Sequence, residues 1–135
     1  MNEIFTAIYN KFTTDPLDNF YVSIGGRLYL EKAPQNAVYP YVVYSMITDE
    51  RDWMFEEEFE EFTIDFNIWS QAASADEAGD ILGYLKALFD DCSLTVAGGW
   101  RHLLFQRDVV FGNHDLEEDP PIWGYLVQYT VMVED

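Results

Sequence analysis

Residues 62–69 read FTIDFNIW, in which Phe62, Ile64, Phe66 and Ile68 alternate with Thr63, Asp65, Asn67 and Trp69. Successive side chains of a strand point to opposite sides, so this period of two predicts a strand with one apolar face. Residues 41–48, YVVYSMIT, are dense in β-branched and aromatic side chains and predict a partner strand with at least one buried face. Downstream, residues 100–111 (WRHLLFQRDVVF) and 123–134 (WGYLVQYTVMVE) read as two further strands. In the last of these Tyr125, Val127, Tyr129, Val131 and Val133 share one face. Upstream, Arg27-Leu28-Tyr29-Leu30 is a short strand after Gly25-Gly26, followed by an exposed loop containing Pro34 and Pro40.

Two segments change to a helical period. Ile4, Phe5, Ile8, Tyr9 and Phe12 form one apolar stripe, predicting a helix over 3–12 that ends before Asp15-Pro16. Ser74-Ala75-Asp76-Glu77 has the form of a capping box, and Ala78, Ile81, Leu82, Leu85, Leu88 and Phe89 carry the apolar face of the helix it opens. Gly79 and Gly83 within that helix are expected to mark close packing against the sheet. Helix, strands, helix, strands is the order of an α+β fold: a mainly antiparallel sheet packed by two α-helices, in one domain spanning residues 1–135.

The balance of charge narrows the partners. Seven Lys and Arg stand against 25 Asp and Glu, a formal charge of −18, so the field around the chain repels phosphate and no specific nucleic-acid binding is expected. Cys92 is the only cysteine, which leaves no intrachain disulfide and no cysteine-based zinc site and suits a reducing compartment. No apolar run approaches the length of a membrane span, so no membrane partner is expected. An aromatic share of 17% is rich enough to leave rings at the surface, where Tyr and Trp serve protein interfaces.

The chain carries no P-loop, dinucleotide-binding glycine fingerprint, zinc-protease helix motif or EF-hand loop. His102 and His114 are its only imidazoles. His102 falls in a strand, where a structural or surface role is expected. His114 lies in NHDLEED, residues 113–119, beside Asp115, which in principle gathers hard-cation ligands or a base with its orienting acid. The glycine and ligand spacing of a calcium loop is missing, and a solvated acidic turn running into Pro120-Pro121 is the simpler reading. No catalytic residue, no metal ligand and no cofactor-binding residue is therefore assigned, and no enzyme activity is expected.

Between the first two long strands lies DERDWMFEEEFEE, residues 49–61. Its eight acids (Asp49, Glu50, Asp52, Glu56, Glu57, Glu58, Glu60 and Glu61) face one Arg51. The segment is long for a hairpin loop, so the strands are expected to extend into it as a projecting acidic β-hairpin or loop arm. Trp53, Met54, Phe55 and Phe59 are interleaved with the acids. These four either fold back on the domain's own core or form an assembly interface with a neighbour. In the second case Glu56, Glu57, Glu58, Glu60 and Glu61 form a charge-repulsion surface facing solvent or the lumen of a channel.

Taken in order, Gly25-Gly26-Arg27-Leu28-Tyr29, Ala33-Pro34, Pro40-Tyr41-Val42-Val43-Tyr44, Phe66-Asn67-Ile68-Trp69-Ser70, a capped helix and a closing β-pair resemble a known family. The chain is similar, over nearly its whole length, to the tail-completion or tail-terminator-like neck proteins of long-tailed bacteriophages and prophages. The resemblance implies a small virion subunit made in the host cytoplasm, with no catalytic motif and no cofactor. It further implies a homo-oligomeric ring, commonly a hexamer, at the head-proximal end of the tail tube, with the tube protein and the head-connector proteins of the neck as partners. DNA passes through such a ring. A head-closure or adaptor role in the same neck stays open, as does an acidic DNA mimic. Decoys, however, need carboxylates spread at phosphate-like spacing, and here the acids gather in two segments.

Overall fold

The computed structural model describes the backbone of residues 2–54 and 57–134, and all their side chains except those of Asn2, Leu103 and residues 48–59. Helix α1 (Asn2–Thr13) and the short α2 (Asn19–Ser23) are followed by strands β1 (Leu28–Leu30), β2 (Tyr41–Met54) and β3 (Glu57–Ser70). Helix α3 (Asp76–Phe89), β4 (Arg101–Gly112) and β5 (Trp123–Glu134) complete the chain. The strands form one five-stranded sheet in the order β1-β2-β3-β5-β4, antiparallel except for the parallel pair β1 and β2. The α+β class and the mainly antiparallel sheet expected from the residues are both present.

FTIDFNIW sits at the centre of this sheet, and its period of two divides the molecule. Phe62, Ile64, Phe66 and Ile68 are fully buried on the face that the helices cover. Phe66 is the hub: its ring lies 4.9 Å from Phe89 of α3, 5.7 Å from Tyr129 of β5 and 6.0 Å from Tyr44 of β2. Ile4, Ala7, Ile8 and Phe12 of α1 and Ile81, Leu85 and Phe89 of α3 close over them. The end of α3 is tied to the sheet by the Tyr129 hydroxyl, which donates to Asp90 Oδ1 at 2.6 Å, with Arg107 3.5 Å from the other carboxylate oxygen. Burial and the Asp90 carboxylate push the Tyr129 phenol well up, so it remains a donor throughout the physiological range.

Three local expectations change. The helix α2 was not legible as a period, because five residues hold little more than one turn; Asp18 opens it by accepting from the Phe20 amide at 3.0 Å, and Phe20 plugs the core between Phe12 and Phe89. The capping box at Ser74 forms only by half: the Ser74 hydroxyl accepts from the Asp76 amide at 3.4 Å, but Glu77 does not reach back to it. Glu77 instead accepts from the Ser70 hydroxyl at 2.7 Å, because Ser70 is fully buried at the end of β3 and its hydroxyl needs a partner. Gly79 and Gly83 do not pack against the sheet: both are exposed, and a Cβ at either would meet nothing within 4 Å.

Candidate assembly surface

The acidic segment is built largely into the sheet rather than into a free loop. β2 and β3 pair continuously outward to Met54 opposite Glu57, with one irregularity between Met46 and Thr48. β5 accompanies β3 through the described pairs from Ser70 opposite Trp123 to Phe59 opposite Glu134. Glu60 lies between Arg51 and Val133 in the register, and its side chain is only 3% exposed. Of the carboxylates expected on a charge-repulsion surface, Glu60 is therefore covered within its own chain, and Glu61 is half-buried. The side chains of Trp53, Met54, Phe59, Glu57 and Glu58, and all of Phe55 and Glu56, lie outside the described residues.

The face of the sheet opposite the helices has no helix against it among the described residues. The register sets its rows: Val43, Asn67, Leu126 and Phe111 in one, Ser45, Asp65, Gln128 and Val109 in the next. Ile47, Phe111 and Val109 are 54%, 48% and 39% exposed, so apolar side chains border a polar middle. In that middle Asp65 is 7% exposed, and its Oδ1 has no hydrogen-bond partner among the described residues. Burial pushes this carboxyl up from its ordinary value.

At one end of the bare face the residues that carry the family resemblance converge. Gly25 and Gly26 both take positive φ, +58° and +75°, which lets the chain turn before β1. Arg27 Nε then donates to the Pro40 carbonyl at 2.9 Å, fixing the approach to Tyr41. Tyr41, Trp69 and Gly124 form one cross-strand row, and the Trp69 ring occupies the space over Gly124: a Cβ there would stand 2.6 Å from the ring and 2.3 Å from the Asn113 carbonyl oxygen. Tyr39, Tyr41, Trp69, His114 and Asp115 line an open cavity of about 380 Å³ beside this row. Sequence reading singled out His114 and Asp115 but missed Tyr39 and the pairing of Trp69 with Gly124, which depends on strand register.

The imidazoles are held by backbone. His114 Nδ1 accepts from the Gly124 amide at 3.2 Å, and its ring meets Trp123 and Tyr125 edge to face. His102 Nδ1 accepts from the Leu94 amide at 3.3 Å, and burial lowers its pKa. Burial also pushes the Cys92 thiol up to about 11, far from a reactive thiolate. Among the described residues no group of three or more His, Cys, Asp or Glu is placed to hold a metal ion, and no helix is long and apolar enough to cross a membrane.

Set beside known proteins, residues 7–134 match the family model described as "Tail completion protein gp17". No curated protein matches the sequence. Among solved structures, a chain from "Virion of native gene transfer agent (GTA) particle" superposes with a TM-score of 0.77 at 12% identity, covering 99% of this chain and 96% of that one. At that identity the likeness is one of fold.

Proposed function

The chain belongs to the tail completion protein gp17 family, and on that premise we propose that it is a ring-forming tail-terminator subunit, a hexamer that caps the tail tube and joins it to the head connector. It is a structural protein of the virion tail and neck. The observation that supports the ring is the bare apolar-edged face of the sheet, with Ile47, Val109 and Phe111 exposed on a chain of charge −18. Like-charged copies stay together only where apolar area offsets their repulsion, and this face supplies it. In the ring Trp53, Met54, Phe55 and Phe59 dock on the neighbouring copy, and Glu56, Glu57, Glu58 and Glu61 face the lumen. There, at physiological salt, carboxylates repel DNA only within about 8 Å, which prevents sticking without blocking passage. The tube protein and the connector are its other partners.

Electron microscopy of the purified protein, with Phe111→Asp as the comparison, tests this reading. The expected result is a ring with residues 49–61 on its inner wall, and loss of the ring in the variant while far-ultraviolet dichroism is unchanged. A parent protein that stays monomeric in the presence of the tail tube protein overturns it.

A further inference from the structure

The cavity beside Trp69 has a chemistry that the ring does not need. Tyr39 and Tyr41 stand with ring centroids 5.2 Å apart at 41°, and Tyr29 adds a third ring 6.0 Å from Tyr41. Across the opening lies Asp115, which an antiparallel bridge to Ile122 holds in place: its amide donates to the Ile122 carbonyl at 2.8 Å and its carbonyl accepts at 2.9 Å. The Asp115 side chain caps the same turn by accepting from the Glu117 amide at 3.2 Å. His114 Nδ1 is taken up by the Gly124 amide. Rings present the negative faces of their π-systems, a carboxylate presents full charge, and a planar guanidinium satisfies both at once.

We propose that this cavity is a docking site for an arginine side chain carried by a partner protein, the guanidinium stacking on Tyr39, Tyr41 and Trp69 and meeting Asp115 at the rim. Charge selects the occupant: a chain of formal charge −18 favours a basic segment. Another copy of this chain is a poor source. Arg27 is engaged by Pro40, Arg101 by Glu134 and Arg107 by Asp90, and the side chain of Arg51 lies outside the described residues. With three of the chain's arginines engaged and its charge at −18, a basic protein of a different kind is the better source of the arginine.

The test is a nuclear magnetic resonance titration of the full chain with a five-residue glycine peptide bearing one central arginine, repeated with citrulline and with norleucine in its place. Saturable shifts are expected at the amides of Tyr39, Tyr41, Asp115 and Gly124 and at the Trp69 indole N–H. Citrulline should bind about tenfold more weakly, and Tyr39→Ala and Asp115→Asn should each weaken the arginine peptide about three- to tenfold at an unchanged melting temperature. Equal binding of the norleucine peptide assigns the cavity to an apolar occupant and overturns the proposal. Shifts confined to the acidic hairpin, or none at these five positions, overturn it as well. Failure of the ring in microscopy leaves these readouts unaffected, so the two proposals fail separately.

Discussion

Gly124 is the residue whose absence of a side chain shapes the bare face. Trp69 lies where a Cβ would be, and the Asn113 carbonyl oxygen closes the other side at 2.3 Å, a backbone atom that cannot swing away. Gly124→Ala should therefore lose about 1–3 kcal/mol in denaturant unfolding, the usual cost of forcing a methyl into filled space, and a loss below about 0.5 kcal/mol would show that the strand yields freely. Asp65 acts through charge. Its carboxyl is pushed up by burial, so between the unfolded and the folded value the native chain keeps a proton that the unfolded chain has released. Its contribution is thus intact below the ordinary carboxylate range and is lost as pH rises through the raised value. Asp65→Asn should stabilise the isolated chain at pH 7 and make no difference near pH 3, as read from denaturation midpoints at both; destabilisation at pH 7 would mean that the carboxylate has a partner which stabilises its charged form.

The elements differ in what specifies them. The strand β3 follows from alternation alone, and α3 from the spacing of Ala78, Ile81, Leu85 and Phe89, all buried as that spacing requires. Its glycines tell a different story: they were expected at a close contact, yet both lie on the exposed side with open space around them. Gly79→Ala and Gly83→Ala should then each raise stability by about 0.5–1 kcal/mol, measurable as an increase in melting temperature of a few degrees, since alanine removes backbone entropy from the unfolded chain and meets no obstacle. A fall in melting temperature would point to a contact that this surface makes elsewhere. The hairpin of β2 and β3 shows the limit of local reading in another way. Its existence was legible, whereas its pairing along β5, from Ser70 opposite Trp123 to Phe59 opposite Glu134, and the burial of Glu60 within it were set by register.

At the scale of the molecule, charge and apolar area oppose each other. Copies carrying −18 each repel, and salt screens that repulsion with a Debye length that falls from about 10 Å at 0.1 M to about 3 Å at 1 M, while apolar burial is little affected. Assembly should accordingly tighten as sodium chloride rises from about 0.05 to 0.5 M, seen as growth of the mass measured by light scattering. Dissociation over the same range would show that ion pairs rather than apolar contacts hold the copies together.

The order of the strands and of the two longer helices, the apolar faces of those elements, the net charge and the acidic hairpin were all set by the sequence, because they depend on period and composition, which are local; the one-turn α2 was not. Placement belonged to the tertiary structure. That Glu60 is covered, that Glu77 serves Ser70 instead of a helix cap, and that Tyr39, Tyr41, Trp69 and Asp115 surround one cavity all depend on register between strands far apart in the chain. Register is decided by the whole core at once, since a slip of one residue would turn every buried ring of β3 toward the bare face.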